Sequence, residues 1–141
     1  MIRFDLASAM PKNLNASDLR RLGALLGKSF RWRETREVGL RFVSPKEMQR
    51  LNRDYHGCDR PTDVLSFESA IKNYLGDIAI CPDFAVKEAK RRSIAAHEEL
   101  LRLLVHGVLH LKGMDHRTAS EEQKMFSLQE RLLSHFLVQS L

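Results

Sequence analysis

The stretch HGVLHLKGMDH, residues 106–116, places three of the six histidines of this chain within one short segment. Apolar residues surround the histidines and continue upstream, so the pattern predicts one helix over about residues 98–112. On a helix, side chains four positions apart are neighbours, with Cβ atoms about 5–6 Å apart. His106 and His110 can therefore present their imidazoles to the same ion.

Gly113 and the histidine that follows it complete this group. Glycine suits the left-handed C′ position that stops a helix and turns the chain back, which brings His116 toward the other two histidines. A histidine on a leucine-rich helix is more often a core residue bonded to the backbone. However, a buried imidazole is unfavourable unless its nitrogens are satisfied, and three histidines in this pattern favour a shared metal ion.

The type and number of ligands predict one Zn²⁺ ion held by His106, His110 and His116. Neutral imidazole nitrogens select zinc over magnesium or calcium, although nickel, copper or iron could occupy such a site in vitro. Only three ligands are evident in the sequence. This leaves a fourth position for water, which is typical of catalytic rather than structural zinc sites.

Length and composition indicate one globular domain over residues 1–141. The chain is long enough to bury a core without disulfides, and its 43% hydrophobic and 29% charged residues are ordinary for a soluble protein. Cys58 and Cys81 form no CxxC pair and are expected to be reduced thiols. No apolar run is long enough to span a membrane, and the N-terminus lacks the apolar core of a signal peptide. These features favour a cytoplasmic protein with no membrane partner.

An excess of positive charge favours a polyanionic partner such as RNA. Lysine and arginine exceed aspartate and glutamate by 23 to 18, which gives a formal net charge of +5. Lys87, Lys90 and Arg91 share one face of a predicted helix, which is either an RNA-binding surface or a solvated face. SFRWR, residues 29–33, suits either stacking on unpaired bases or packing of both aromatic side chains in the core.

Strand and helix patterns alternate along the chain. Apolar residues at period two or in short runs predict strands, and apolar residues at helical spacing after capping residues predict helices. Four short strands interleaved with about five helices indicate an α+β or α/β domain. Strands are predicted at 2–6, 37–43, 64–68 and 75–80, and helices from about Ser17 to Gly27, from Pro45 after a Ser44 cap, over 82–92, over 98–112, and after a cap at Thr118 or Ser120.

The histidine spacing is similar to the HExxHxxGxxH signature of metzincin peptidases. Those peptidases carry a general-base glutamate next to the first histidine. This chain has Gly107 there, which has no side chain to accept a proton from water. A protease of that mechanism is therefore disfavoured, while hydrolysis remains open because zinc lowers the pKa of its water to about 7.

The chain as a whole resembles the YbeY family of endoribonucleases and rRNA maturation factors. The family signature reads approximately HGxLHLxGxDH and is matched by residues 106–116, while LNRDYHGCDRPTDVLSF at 51–67 and LGDIAI at 75–80 agree in order and placement. The resemblance implies a zinc-dependent, single-strand-specific endoribonuclease that acts in 16S rRNA 3′-end maturation and ribosome quality control. Its implied partners are precursor rRNA and the small ribosomal subunit. It also implies an α+β fold with a small mixed four-stranded sheet and the zinc-binding helix under a cleft.

The loop after the second predicted helix departs from the family pattern. An arginine thought to serve the active site usually follows the tyrosine, and here that position is His56. Arg60 in the same loop, Arg53, or His56 itself when protonated are the candidates for the catalytic cation. Asp115 is a candidate catalytic base or a residue that orients His116 or its neighbours, and the second role is favoured.

RNA carries its own nucleophile, the 2′-hydroxyl, so a ribonuclease can act without a water-activating carboxylate. We expect zinc to polarise a phosphoryl oxygen or to supply hydroxide, while a cation from the 53–60 loop stabilises the developing charge. Two alternatives remain open from the sequence. One is a metallopeptidase-like hydrolase with an unconventional base, and the other is a nonenzymatic ribosome-assembly factor in which zinc staples the third histidine to the helix.

Overall fold

The computed structural model describes residues 1–139, and this part of the chain contains four strands and five helices. The predicted domain extends to residue 141, so its last two residues lie outside the described part. The strands are β1 (Ile2–Leu6), β2 (Arg36–Phe42), β3 (Val64–Glu68) and β4 (Tyr74–Ile80), and the helices are α1 (Ala16–Ser29), α2 (Pro45–His56), α3 (Pro82–Arg92), α4 (Ala96–Leu111) and α5 (Ala119–Gln139).

The four strands form one mixed sheet in the order β1-β2-β4-β3. Strands β1, β2 and β4 run parallel, and β3 is antiparallel to β4, with Val64 opposite Ile80. Helix α1 connects the first two strands, and the segment with α2 and β3 connects β2 to β4, as parallel neighbours require crossover connections. The predicted α+β domain with a small mixed sheet is confirmed.

Helix α4 lies at the centre of the main core. Its leucines pack among the sheet and the helices α3 and α5. Four of them have no solvent-accessible surface: Leu100, Leu101, Leu104 and Leu109. Side chains of β4 point alternately to the two faces of the sheet. Ile78 belongs to the main core, whereas the next residue, Ala79, belongs to a smaller cluster with residues of α2. The sheet therefore separates α4 from α2.

Gly107 determines how closely α4 approaches the sheet. A Cβ atom at this position would lie 2.8 Å from Cδ1 of Ile78, a buried residue of β4. A larger residue would force the helix away from the strand or displace the isoleucine. The glycine of the histidine motif is thus explained by helix-sheet packing.

Capping residues predicted from the sequence begin two of the helices. The Ser44 hydroxyl accepts a hydrogen bond from the Glu47 N–H at 3.2 Å, and Pro45 is the first residue of α2. The Thr118 hydroxyl accepts from the Glu121 N–H at 3.1 Å, so it is the first of the two proposed residues that caps α5.

The predicted end of α1 at Gly27 is wrong, because the helix continues to Ser29. This glycine lies against the start of the chain, where a Cβ atom would come within 2.4 Å of the Met1 Cα. It is required by a close backbone approach and not by the end of the helix.

Helix α4 is rich in leucine and valine over its 16 residues. Within residues 1–139, no helix combines the length and the apolar character needed to cross a membrane.

Candidate metal centre

Three histidines, which we call the histidine cluster, converge at the C-terminal end of α4. His106 and His110 lie one turn apart on the helix, and His116 follows it in the chain. Each offers one ring nitrogen, and these nitrogens all lie within 4.8 Å of one another. The Nε2 atoms of His106 and His110 are 3.1 Å apart. The cluster has the composition and spacing of a group that can hold one metal ion.

The turn after α4 brings the third histidine back to the helix. Gly113 has φ of 106°, a conformation that favours glycine. Its N–H donates to the His110 carbonyl at 2.9 Å, and the Met114 N–H donates to the Leu109 carbonyl at 3.0 Å. This pair of bonds is the Schellman motif of a helix end. The glycine of the motif is therefore the local reason why the chain reverses here.

Asp115 fixes the backbone immediately before the third histidine of the cluster. One carboxylate oxygen accepts the His116 N–H at 2.8 Å, and the other pairs with Arg117 at 2.8 Å. The His116 N–H bond, followed by the charge of Arg117, lowers the pKa of the Asp115 carboxyl despite partial desolvation. An ionised carboxylate in these bonds is arranged as an acceptor that orients its neighbour.

Burial lowers the pKa of the His110 imidazole, and the charges of His106 and His116 lower it further. A hydrogen bond with the backbone of Met114 and the charge of Asp115 act in the opposite direction without cancelling the shift. The neutral imidazole is the form that binds metal ions. The lowered pKa therefore favours the neutral form of His110, which is the form that a metal site requires.

Gln129 on α5 contacts the first histidine and was missed by the sequence analysis. Its Oε1 lies 2.8 Å from His106 Nδ1, and the residue is 7% exposed. The signal that could have found it is its position on the apolar face of α5, where it falls in helical register between Met125 and Leu132. A polar side chain at such a position needs a partner inside the protein.

The imidazoles border an open cavity of about 430 Å³. Other lining residues come from the end of α2, from β3 and from the residue before β3, and they include His56, Ser66 and Asp63. The Ser66 hydroxyl donates to the Gly107 carbonyl at 3.3 Å, and this bond connects β3 to α4. The cavity lies beside the C-terminal end of α4, and the prediction that this helix binds zinc stays a prediction.

A second depression lies on the α5 side of the same histidines. Its volume is about 530 Å³, and His106 and His116 border it together with Gln129 and Phe126. Phe126 is 53% exposed. Two of the three histidines therefore border both depressions, while His110 borders the first one among the described lining residues.

The predicted catalytic residues occupy different places around the cavity. His56, the last residue of α2, is exposed and lines it, and Asp115 lines it as well. Arg60 is exposed and is not among the described residues that line the cavity; its carbonyl accepts a hydrogen bond from Asn52 Nδ2 at 2.9 Å. Arg53 lies outside the cavity, in an ion pair with the next residue in the chain.

The predicted RNA-binding residues lie on α3, away from the described lining of the cavity. Lys87, Lys90 and Arg91 are all exposed. Lys87 Nζ lies 5.6 Å from the centre of the Phe84 ring, and Arg91 forms an ion pair with Glu88. The structure brings these three residues together with one another and not with the histidines.

The aromatic residues of the tract at 29–33 pack against the main core. Phe30 and Trp32 are partly buried there, with ring centres 5.1 Å apart. Their outer faces are covered by Arg36, whose guanidinium is 4.1 Å from the tryptophan ring centre, and by Lys112, 4.9 Å from the phenylalanine ring centre. This is the packing alternative of the two considered for the tract.

Known proteins similar to this chain share both its sequence and its fold. The family described as endoribonuclease YbeY matches residues 8–137. An endoribonuclease YbeY of Halalkalibacterium halodurans is 41% identical over 116 residues, which cover 72% of this chain and 73% of that protein. One of Treponema pallidum is 47% identical over 96 residues, which cover 62% of this chain and 60% of that protein.

A solved structure extends the similarity to the whole fold. The solution structure of the Thermotoga maritima protein TM1509 superposes with a TM-score of 0.69 at 29% sequence identity, covering 99% of this chain and 91% of that one. The family match takes in both walls of the cavity and the three histidines. The chain belongs to the endoribonuclease YbeY family.

Proposed function

We propose that this chain is a zinc-dependent endoribonuclease that cleaves single-stranded RNA in the cytoplasm. Its proposed role is 16S rRNA 3′-end maturation and ribosome quality control, with precursor rRNA on the small ribosomal subunit as substrate. The observation that carries the proposal is the convergence of His106, His110 and His116 at one side of an open cavity. The names of its relatives supply the reaction class.

The donor set fits one zinc ion. Three neutral imidazoles are ligands that zinc prefers, and three protein ligands with an open side are the pattern of catalytic zinc sites. The lowered pKa of His110 favours the ligating form. When bound, the cation supplies Lewis-acid chemistry, which stabilises negative charge on phosphate oxygens and acidifies water.

We propose His56 as the cation that acts in catalysis, and its position in the lining of the cavity that the histidine cluster also borders supports this role. When protonated, its imidazolium can donate a hydrogen bond to a phosphate oxygen and stabilise charge that develops there. Arg60 lies in the exposed loop that follows α2, and we propose it as a second cation for the RNA strand. Asp115 acts by holding the His116 backbone.

Lys87, Lys90 and Arg91 are proposed to contact RNA phosphates outside the cavity. Their exposure on α3 supports this role, since phosphate contacts need accessible cations. Replacing all three with alanine should weaken RNA binding and reduce its salt dependence while leaving zinc binding unchanged. Unaltered salt dependence of affinity would remove these residues from the proposal.

The packing of Gly107 argues against a peptidase with a glutamate at this position. A side chain here would meet Ile78 of the sheet, so it would not reach the cavity without displacing the core. RNA needs no base at this position, because the 2′-hydroxyl next to the scissile phosphate can serve as nucleophile. An RNA lacking that single 2′-hydroxyl should resist cleavage, whereas undiminished cleavage would point to water as the nucleophile.

The decisive experiment compares the parent protein with His110→Ala, each with its zinc content measured. Preparations must be free of contaminating ribonucleases. The parent should cleave unstructured RNA and hold about one zinc ion per chain, and the variant should lose both properties. His135→Ala is the matched control, because this exposed histidine lies on α5 and contacts only Gln139 among its described partners.

Other outcomes identify the alternatives. Zinc-dependent cleavage of casein without RNA cleavage would indicate a metallopeptidase. Zinc that raises thermal stability, with no RNA cleavage by any preparation, would indicate a nonenzymatic assembly factor.

A further inference from the structure

A chain of hydrogen bonds leads from the buried arginine of α4 to the first histidine. Arg102 binds Glu130 through two bonds of 2.9 and 3.1 Å. Glu130 accepts a bond from Gln129 Nε2 at 3.1 Å, and Gln129 Oε1 lies 2.8 Å from His106 Nδ1. Each member is buried or half-buried, so water competes weakly for these bonds.

This chain of bonds fixes which end of the Gln129 amide faces the histidine. A carboxylate can only accept hydrogen bonds, so the end that contacts Glu130 must be the NH₂ group. The carbonyl oxygen therefore faces His106, and it too can only accept. His106 Nδ1 must then carry a proton, and in the neutral imidazole this leaves the lone pair on Nε2, the atom that lies 3.1 Å from His110 Nε2.

We propose that Gln129 is a positioning residue that selects the metal-binding tautomer of His106 and holds its ring toward the histidine cluster. The inference rests on the proposed zinc site. Gln129 does not line the cavity that His56 and the histidine cluster share, and it contacts the cluster through His106 Nδ1, so it would act through that histidine. Bonds of this kind fix the tautomer and the orientation of ligating histidines.

The test measures zinc affinity by competition with a chromophoric chelator. Gln129→Met keeps the length of the side chain and removes the acceptor. It should weaken zinc binding about 10- to 100-fold, the usual effect of losing such a partner. The matched control is Gln123→Met, on the same helix and beside the same depression, where the amide binds Ser127 at 3.3 Å and not the imidazole.

A rescue variant distinguishes positioning from a general loss of structure. Exchanging the two neighbours, Gln129→Glu with Glu130→Gln, keeps the net charge and returns an acceptor to His106. Zinc affinity should recover to within about threefold of the parent, since a carboxylate also serves as the outer partner of a ligating histidine. Failure of this exchange to recover affinity, with the fold intact by thermal unfolding, would overturn the proposal.

Imidazole nitrogen chemical shifts supply a readout that is independent of affinity. In the zinc-free parent, ¹⁵N spectra should show His106 protonated on Nδ1, and Gln129→Met should show a mixture of tautomers. Unchanged affinity and unchanged tautomer in this variant would overturn the inference and leave the zinc site standing. A parent that binds no zinc would overturn the proposed function and the inference with it.

Discussion

Helix α4 carries two polar clusters about one turn apart, and both meet α5. The first, the arginine network, consists of Arg102 with Glu98, Glu99 and Glu130, at distances of 3.2, 2.7 and 2.9 Å. The second is the histidine cluster at the end of the same helix. Adjacent residues of α5 serve both, because Glu130 binds the arginine while Gln129 binds the first histidine.

The two clusters differ in where their electrostatic partner comes from. Burial disfavours the charged guanidinium of Arg102, but the hydrogen bonds that it donates to Glu130 and Glu99 outweigh this cost and raise its pKa. In the histidine cluster, burial lowers the pKa of His110 and the neighbouring rings lower it further. The carboxylates of the chain itself balance the charge of the arginine in the first cluster. The second cluster consists of imidazoles, a donor type that suits a metal cation from solution.

Zinc binding at the histidine cluster should give the largest change in the free energy of unfolding. Zinc at about a thousand times its dissociation constant should raise the free energy of unfolding by about 4 kcal/mol, because it binds the folded chain. Most of this gain should vanish in His110→Ala, as measured by denaturant unfolding with and without zinc. If the variant gained as much as the parent, the cluster would not be the binding site.

Breaking the arginine network should lower stability by a smaller amount that does not depend on zinc. Arg102→Met removes the closest partner of Glu99, which is 4% exposed. The free energy of unfolding should fall by about 3 kcal/mol, the lower end of the range for breaking a buried ion pair, because Arg92 remains 3.3 Å from Glu99. Arg50→Met, which breaks the exposed pair with Glu47, is the control and should have little effect.

A loss that zinc largely reversed would contradict this separation of the two clusters. It would mean that the arginine network contributes to stability mainly by shaping the histidine cluster.

The pH dependence of stability should give the smallest difference between the parent and Arg102→Met. This difference reports on the ionisation of Glu130. Burial opposes the ionised carboxylate, but the hydrogen bonds from Arg102 and Gln129 prevail and lower its pKa from the ordinary 4.5. Because the folded pKa lies below the unfolded one, this contribution to stability is present above pH 4.5 and is lost as pH falls through the lowered value. Unfolding measured from neutral pH to about pH 3 should show a shallower decline in Arg102→Met than in the parent. Parallel declines would assign the acid sensitivity to other groups.

Features encoded by near neighbours in the chain could be predicted from the sequence. The strands follow from alternating apolar residues, and the caps at Ser44 and Thr118 follow from residues three positions apart. The third histidine was found for the same reason, because Gly113 reverses the chain over a few residues. The histidine cluster is in this sense a local feature.

Features that depend on contacts between distant segments could not be predicted. Gln129 and Glu130 meet α4 across 23 and 28 positions of sequence, and nothing in the pattern of α5 specifies which helix it packs on. The misassigned end of α1 has the same cause, because the role of Gly27 depends on the start of the chain passing beside it. The sequence does not distinguish Arg53, His56 and Arg60 as candidates for the catalytic cation. Only the fold shows that His56, at the end of α2, lines the cavity.

The two depressions beside His106 and His116 bear on how a polymer can be cut. A blind pocket admits a chain only by its terminus and so trims nucleotides one after another. Here the histidines of the proposed cutting point border two depressions, so a strand can pass the site without entering it by an end. That shape needs no free end and suits scission in the interior of a molecule.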